Sequence, residues 1–127
     1  MKLTGKVIKG EGYGQKLGYP TVNIDRKEYL AKNLIIVYGV YGGFVTVDDT
    51  GQKYLAGIVV GPKDSKGLPK LEAHLIDFVG DLYGKMVTFH ILEYIRPFIS
   101  YGSEGELKNS IEKDIDVIKG MKLCLPE

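Results

Sequence analysis

Ser103-Glu-Gly-Glu-Leu-Lys-Asn-Ser-Ile-Glu-Lys-Asp-Ile-Asp-Val-Ile-Lys-Gly120 is the one stretch of this chain with a helical period. Leu107, Ile111, Ile115 and Ile118 recur three and four residues apart, which gathers them on one face of a helix. Ser103 with Glu106 makes a capping box at its start, and Gly120 stands where a C′ glycine closes one. The spacing predicts a helix over 104–119, with its aliphatic stripe laid on the rest of the molecule.

The chain before that helix has a different period. Leu3 to Lys9, Val37 to Val47, Lys53 to Val60, Lys70 to Ile76 and Met86 to Ile95 read as short strands between Gly, Pro and Asp clusters. Tyr19-Pro-Thr-Val-Asn23 is biased toward an extended path by its proline. Gly39, Gly42 and Gly43 predict a bend or bulge in the third of these, and Asp48-Asp-Thr-Gly51 a hairpin turn. Residues 61–69 read as a polar loop. In the fifth strand Leu71, Ala73 and Leu75 share one face, and Glu72 and His74 the other; Val87, Phe89 and Ile91 share a face in the sixth. About six strands followed by one helix imply an all-β to α+β fold, a small antiparallel barrel with a C-terminal helix.

Composition agrees with one such domain over residues 1–127, the barrel occupying about 1–100. Hydrophobic residues at 44% and charged residues at 26% exclude a disordered chain. Seventeen basic against sixteen acidic side chains leave a net charge of +1, which offers no strong field for nucleic acid or an anionic membrane. One cysteine, Cys124, excludes an internal disulfide and a cysteine-based zinc site and suits a cytoplasmic location. No run reaches the ~18 apolar residues of a membrane span. A barrel of this size is expected to be a monomer with small-molecule partners only.

The chemistry-bearing residues are few. Gly10-Glu-Gly-Tyr-Gly-Gln-Lys-Leu-Gly-Tyr-Pro-Thr-Val-Asn23 supplies glycines whose N–H groups can approach phosphate, and a lysine. It lacks the Gly-Lys-Ser/Thr of a Walker loop and the helix of a dinucleotide fingerprint, and on spacing alone a turn-rich loop is the simpler reading. Thr21 and Asn23, two apart in an extended segment, point the same way and offer two neutral oxygens of the kind Mg²⁺ accepts; a polar strand edge would look the same. Glu72 stands mid-strand, where carboxylates are depleted, and is either a general base in a cleft or the solvated half of an alternating strand. His74 and His90 have no third partner at metal spacing. Arg96-Pro97 with Phe98, Ile99 and Tyr101 suits a loop that clamps a planar ligand, or one that seals a barrel end.

In this order, these pieces resemble the riboflavin kinase (flavokinase) family. The resemblance rests on Gly5-Lys-Val-Ile-Lys-Gly10, the glycine-rich loop through Leu17-Gly-Tyr-Pro-Thr-Val-Asn23, Gly39-Val-Tyr41, Leu71-Glu-Ala-His74, Asp81-Leu-Tyr-Gly-Lys85, Ile95-Arg-Pro97 and Asp114. It implies a six-stranded antiparallel Greek-key β-barrel with one C-terminal α-helix. It also implies transfer of the γ-phosphoryl of ATP to the ribityl 5′-hydroxyl of riboflavin, giving FMN and ADP. By that resemblance Glu72 is the catalytic base, and Thr21 and Asn23 hold Mg²⁺, with Mn²⁺ or Zn²⁺ as alternatives. Gly10, Gly12, Gly14, Lys16, Gly18, Pro20, Leu75, Asp77 and Tyr83 line the nucleotide; Arg96, Ile99 and Tyr101 border the flavin. The chain departs from the family pattern across 58–70 and at Phe98, which replaces a charged residue, and at Tyr101, where phenylalanine is common. The alternative is a non-catalytic flavin- or nucleotide-binding module on the same barrel. At 127 residues the chain is expected to carry no nucleotidyltransferase domain and to stop at FMN.

Overall fold

The computed structural model describes residues 1–8, 21–25, 36–63, 69–121 and 123. Six strands, β1 (Lys2–Ile8), β2 (Thr21–Ile24), β3 (Gly39–Val47), β4 (Lys53–Lys63), β5 (Pro69–Leu75) and β6 (Met86–Pro97), are followed by one helix, α1 (Glu104–Gly120). Every pairing is antiparallel, and the strands close into a barrel in the order β1-β2-β5-β4-β3-β6. The consecutive strands β3, β4 and β5 lie side by side, and β6 returns to pair with β3, which is the Greek-key connection. Closure removes every sheet edge, so a small sheet needs no other protection against pairing with a neighbour.

The alternation seen in the sequence sets the inner surface. Leu3 and Val7 of β1, Val22 and Ile24 of β2, Val45 and Val47 of β3, Ala56, Ile58 and Val60 of β4, Leu71, Ala73 and Leu75 of β5, and Val87, Phe89 and Ile91 of β6 fill the barrel. Burying each larger side chain among them is worth about 1.5–3 kcal/mol. Their neighbours one residue out of phase, including Thr21, Asn23, Glu72 and His74, are therefore turned outward.

Glycines decide two details. β6, not β3, carries the extra residues: the register between the two strands slips between Val40 and Tyr41 and between Gly42 and Gly43, which leaves Ile95 and Leu92 of β6 without opposite numbers. The expected irregularity is thus present, with the glycines facing the bulges. A Cβ at Gly43 would run into the His90 carbonyl oxygen. Gly43→Ala is expected to cost about 2 kcal/mol, read as a lower urea midpoint with the slope unchanged. Gly42 and Gly57 are cross-strand partners and form a flat seat for α1: a Cβ at Gly57 would stand 3.2 Å from Ile118 Cδ1, and one at Gly42 3.5 Å from Ile118 Cγ1.

Helix α1 presents Ile111, Asp114 and Ile118 as its buried residues. Ser103 caps it, its hydroxyl accepting from the Glu106 N–H at 3.2 Å, while the Glu106 carboxylate reaches back to the N–H of Gly102 at 3.3 Å, one residue before the N-cap. Gly120 is the last helical residue instead of a C′ position; the chain leaves through Met121 in an extended conformation, so no left-handed turn is needed.

Of the expected polar loop at 61–69, residues 61–63 and 69 belong to strands, and residues 64–68 lie outside the described residues. β4 runs on through Gly61 and Pro62 to Lys63, and the β4–β5 register slips between Gly61 and Lys63. Pro62 falls in that irregularity, where its missing N–H deprives no partner. Among the described residues no helix is long and apolar enough to cross a membrane.

Candidate active site

β2 and β5 are neighbours in the barrel, and their register sets Asn23 opposite Glu72 and Thr21 opposite His74. Directly opposed residues on one face of an antiparallel pair have Cβ atoms about 4.5–5.5 Å apart. Two short strands 50 residues apart in sequence thus bring a hydroxyl, an amide oxygen, a carboxylate and an imidazole onto a single patch of the outer wall.

Of these four, Glu72 and His74 line a cavity of about 490 Å³ between the barrel wall, residues 98–104 and α1, and Thr21 and Asn23 stand beside them on β2, outside its lining. Glu72, His74 and Lys70 of β5 line one side, and Arg96, Ile99 and Tyr101 the other. Two basic side chains approach the carboxylate: His74 Nε2 lies 3.5 Å and Lys70 Nζ 3.6 Å from Glu72 Oε1. Burial by itself raises the Glu72 carboxyl; the hydrogen bond and charge of His74 and the charge of Lys70 outweigh it and hold the group below its ordinary value. At neutral pH it is a carboxylate, the form in which it can accept a proton from a hydroxyl.

At the far side of the cavity Arg96 donates four of its five N–H groups to its own protein. Its Nε and Nη2 donate to the two oxygens of Asp114, both at 2.8 Å; Nη2 also donates to Ser110 Oγ at 2.7 Å and Nη1 to the Pro97 carbonyl at 3.1 Å. The paired carboxylate keeps the guanidinium firmly charged against the cost of its burial. Ser110 is hydrogen-bonded in turn to the Tyr101 hydroxyl, and the Arg96 guanidinium lies 5.9 Å from the Tyr101 ring centre. The bracket ties the end of β6 and the 98–103 segment to α1. Arg96 lines the cavity and at the same time braces it through α1.

The other sequence-predicted residues divide. Leu75 is buried in the barrel core, on the face opposite Glu72, so only its backbone is available to a ligand. Asp77 follows it with a φ of 58°, a left-handed conformation that turns the chain out of β5. Tyr83 is exposed, in a segment whose Gly84 and Lys85 bond to Val7 at the end of β1. Gly10, Gly12, Gly14, Lys16, Gly18 and Pro20 lie outside the described residues, in the segment that leaves β1 and enters β2. His90 lies on β6 away from the cavity, within 3.1 Å of Thr46 Oγ1. Lys70, Ser110 and the Asp114 partnership were not picked out from the residues themselves. Lys70 had a signal, since alternation places 70, 72 and 74 on one face.

For a divalent ion, Thr21 and Asn23 offer two neutral hard oxygens. Among the described residues no three His, Cys, Asp or Glu side chains gather as a metal cluster. The Thr21 hydroxyl and Asn23 amide oxygen beside Glu72 suit a cation that keeps waters and takes most of its ligands from phosphate, and they do not suit a zinc site built of nitrogen and sulfur.

An outward carboxylate, oxygen donors in register beside it and a cavity of small-molecule size thus stand together on one wall of a six-stranded barrel. The sequence profile of the family described as "Flavokinase: Riboflavin kinase" matches residues 1–122, and the chain belongs to that family. It is 37% identical over 117 residues to the "RNA-binding riboflavin kinase RibR" of Bacillus subtilis, covering 91% of this chain and 49% of that protein. It is 36% identical over 122 residues to the "Bifunctional riboflavin kinase/FMN adenylyltransferase" of Buchnera aphidicola from Acyrthosiphon pisum, covering 92% and 37%. The chain thus spans about half or less of these curated relatives. Among solved structures, the riboflavin kinase of Trypanosoma brucei superposes with a TM-score of 0.60 at 26% identity, covering 93% of this chain and 76% of that one. A protein of Streptococcus pneumoniae titled "Macrolide-efflux Protein" superposes with a TM-score of 0.80 at 28% identity over 95% of this chain and 39% of its own.

Proposed function

We propose that this chain is a riboflavin kinase, transferring the γ-phosphoryl of ATP to the ribityl 5′-hydroxyl of riboflavin. The observation that carries the reading is Glu72: an ionised carboxylate on the outer wall, inside the cavity and in register with Thr21 and Asn23. Family membership supports ATP and riboflavin as substrates and a divalent metal with them.

Phosphoryl transfer asks a protein mainly to position its reactants and neutralise charge. The cavity between β5 and α1 takes the flavin, with Ile99 and Tyr101 at its border and the Arg96–Asp114 bracket holding that border in place. Glu72 orients the ribityl hydroxyl and receives its proton as the oxygen attacks phosphorus; His74 and Lys70 hold the carboxylate in its ionised form until then. The glycine-rich segment through Pro20, with Asp77 and Tyr83, takes the nucleotide. Thr21 and Asn23 would hold Mg²⁺, which would supply charge neutralisation of the phosphates. The protein works as a cytoplasmic monomer on small-molecule partners.

The test is direct. Purified protein with riboflavin, ATP and Mg²⁺ is expected to form FMN and ADP in equal amounts, separated by chromatography, and excess EDTA to stop it. Replacing Mg²⁺ by Mn²⁺ or Zn²⁺ in the same assay ranks the metals. Flavin bound without any FMN formed would identify a non-catalytic binding module on the same barrel.

A further inference from the structure

A base is half of what transfer to a hydroxyl requires at the acceptor end. The other half is a place for the charge that arrives. A phosphate monoester carries about −1.5 to −2 at neutral pH, and it forms on the same oxygen that Glu72 contacts, so it comes to lie within a few ångströms of that carboxyl group.

Among the described residues, three basic side chains line the cavity. Arg96 is ion-paired with Asp114 and donates to Ser110 and Pro97 as well, so its charge is already matched by a carboxylate. His74 is packed against Glu72 with 8% of its side chain exposed. Lys70 differs from both. Its ammonium stands at the loose distance of 3.6 Å from Glu72 Oε1, and 43% of its side chain is exposed. Its stem is held from the other side: the ammonium lies 5.9 Å over the centre of the Phe98 ring. That ring is seated on Gly61, the cross-strand partner of Lys70, where a Cβ would fall 2.8 Å from Phe98 Cε2 and 3.1 Å from Lys70 Cβ. Strand register and the ring thus fix the course of the stem, and the ammonium, a compact charge with three rotatable donors, faces the cavity.

We propose that Lys70 receives the newly formed phosphate, and that it makes the site prefer the phosphorylated flavin over riboflavin. The inference rests on the kinase reading above. In the transfer, the ribityl oxygen bonds to Pγ, the bond from Pγ to the ADP oxygen breaks, and the hydroxyl proton passes to Glu72. Lys70 then faces a neutral acid on one side and a phosphate on the other, and its ammonium pairs with the phosphate. A charge-assisted hydrogen bond of this kind is stronger than a neutral one and favours only the ligand that carries the charge.

The experiment measures riboflavin and FMN affinities by flavin fluorescence quenching, in EDTA so that no metal bridges the phosphate, with wild-type turnover assayed alongside. Lys70→Met is expected to weaken FMN binding about ten-fold and leave riboflavin within two-fold; Lys70→Arg is expected to restore most of the preference. The wild-type preference for FMN is expected to shrink as salt is raised. Lys70→Gln repeats the comparison should the methionine variant fold poorly. Equal losses for both flavins would make Lys70 a packing residue and overturn the proposal, as would an unchanged FMN affinity. A wild type that binds flavin yet forms no FMN overturns the kinase reading instead, and the ratio of the two affinities still decides Lys70.

Discussion

Glu72→Gln is expected to lower turnover by about 10²–10⁴-fold, the usual worth of a positioned general base, with riboflavin affinity changed by less than a factor of three. The substitution keeps the size of the side chain and its ability to hydrogen-bond His74, so the outer face of β5 stays packed. It removes the negative charge that draws the ribityl proton. The stability change is expected to be small, because Lys70 is 43% exposed and regains water when its partner is neutralised. Steady-state kinetics beside a thermal unfolding curve separate the two effects. A variant that turns over within five-fold of the wild type would mean that water, not Glu72, takes the proton. A variant that loses flavin binding as well would make Glu72 a ligand to the substrate.

That single residue shows how far the sequence reaches. Alternation alone placed Leu71, Ala73 and Leu75 inside and Glu72 and His74 outside, and the structure agrees. The pairing of β2 with β5 is a matter of barrel topology, which no local pattern encodes, so Thr21, Asn23 and Glu72 were separate candidates until the register joined them. Leu75 illustrates the same limit from the other side: the residue adjoining a site in sequence points into the core because strand side chains alternate. Gly61 and Phe98 looked like unrelated departures from a family pattern. In space they touch, and the small residue on β4 is what admits the ring between the strand end and Lys70. Arg96, among aromatic residues at a strand end, read as a ligand clamp or as part of a seal on the barrel end. Its partner is Asp114, 18 residues on and on the helix, and a reading confined to the strand end does not disclose that partnership.

That partnership carries the second large effect. Asp114→Ala is expected to destabilise the fold by about 3 kcal/mol, within the range for breaking a buried ion pair by removing one partner, or roughly 10 °C in midpoint for a domain of this size. The side chains of Arg96 and Asp114 are 23% and 12% exposed. Without the carboxylate the guanidinium keeps only Ser110 and the Pro97 carbonyl, and a charge held out of water has lost its counterion. The damage reaches the cavity, because Ser110 links Arg96 to the Tyr101 hydroxyl and so holds the 98–103 segment to α1. Riboflavin KM is therefore expected to rise several-fold while kcat, which depends on Glu72 across the cavity, changes less. The double substitution Arg96→Met with Asp114→Leu distinguishes a costly orphan charge from a needed bridge. Replacing both ions by apolar groups of similar length is expected to recover most of the lost stability, since a buried ion pair contributes little net energy over a packed apolar pair. It is not expected to recover KM, because a methionine cannot hold Ser110 and the loop in register. Recovery of both would reduce the bracket to packing; recovery of stability alone would make it the device by which the helix shapes the cavity.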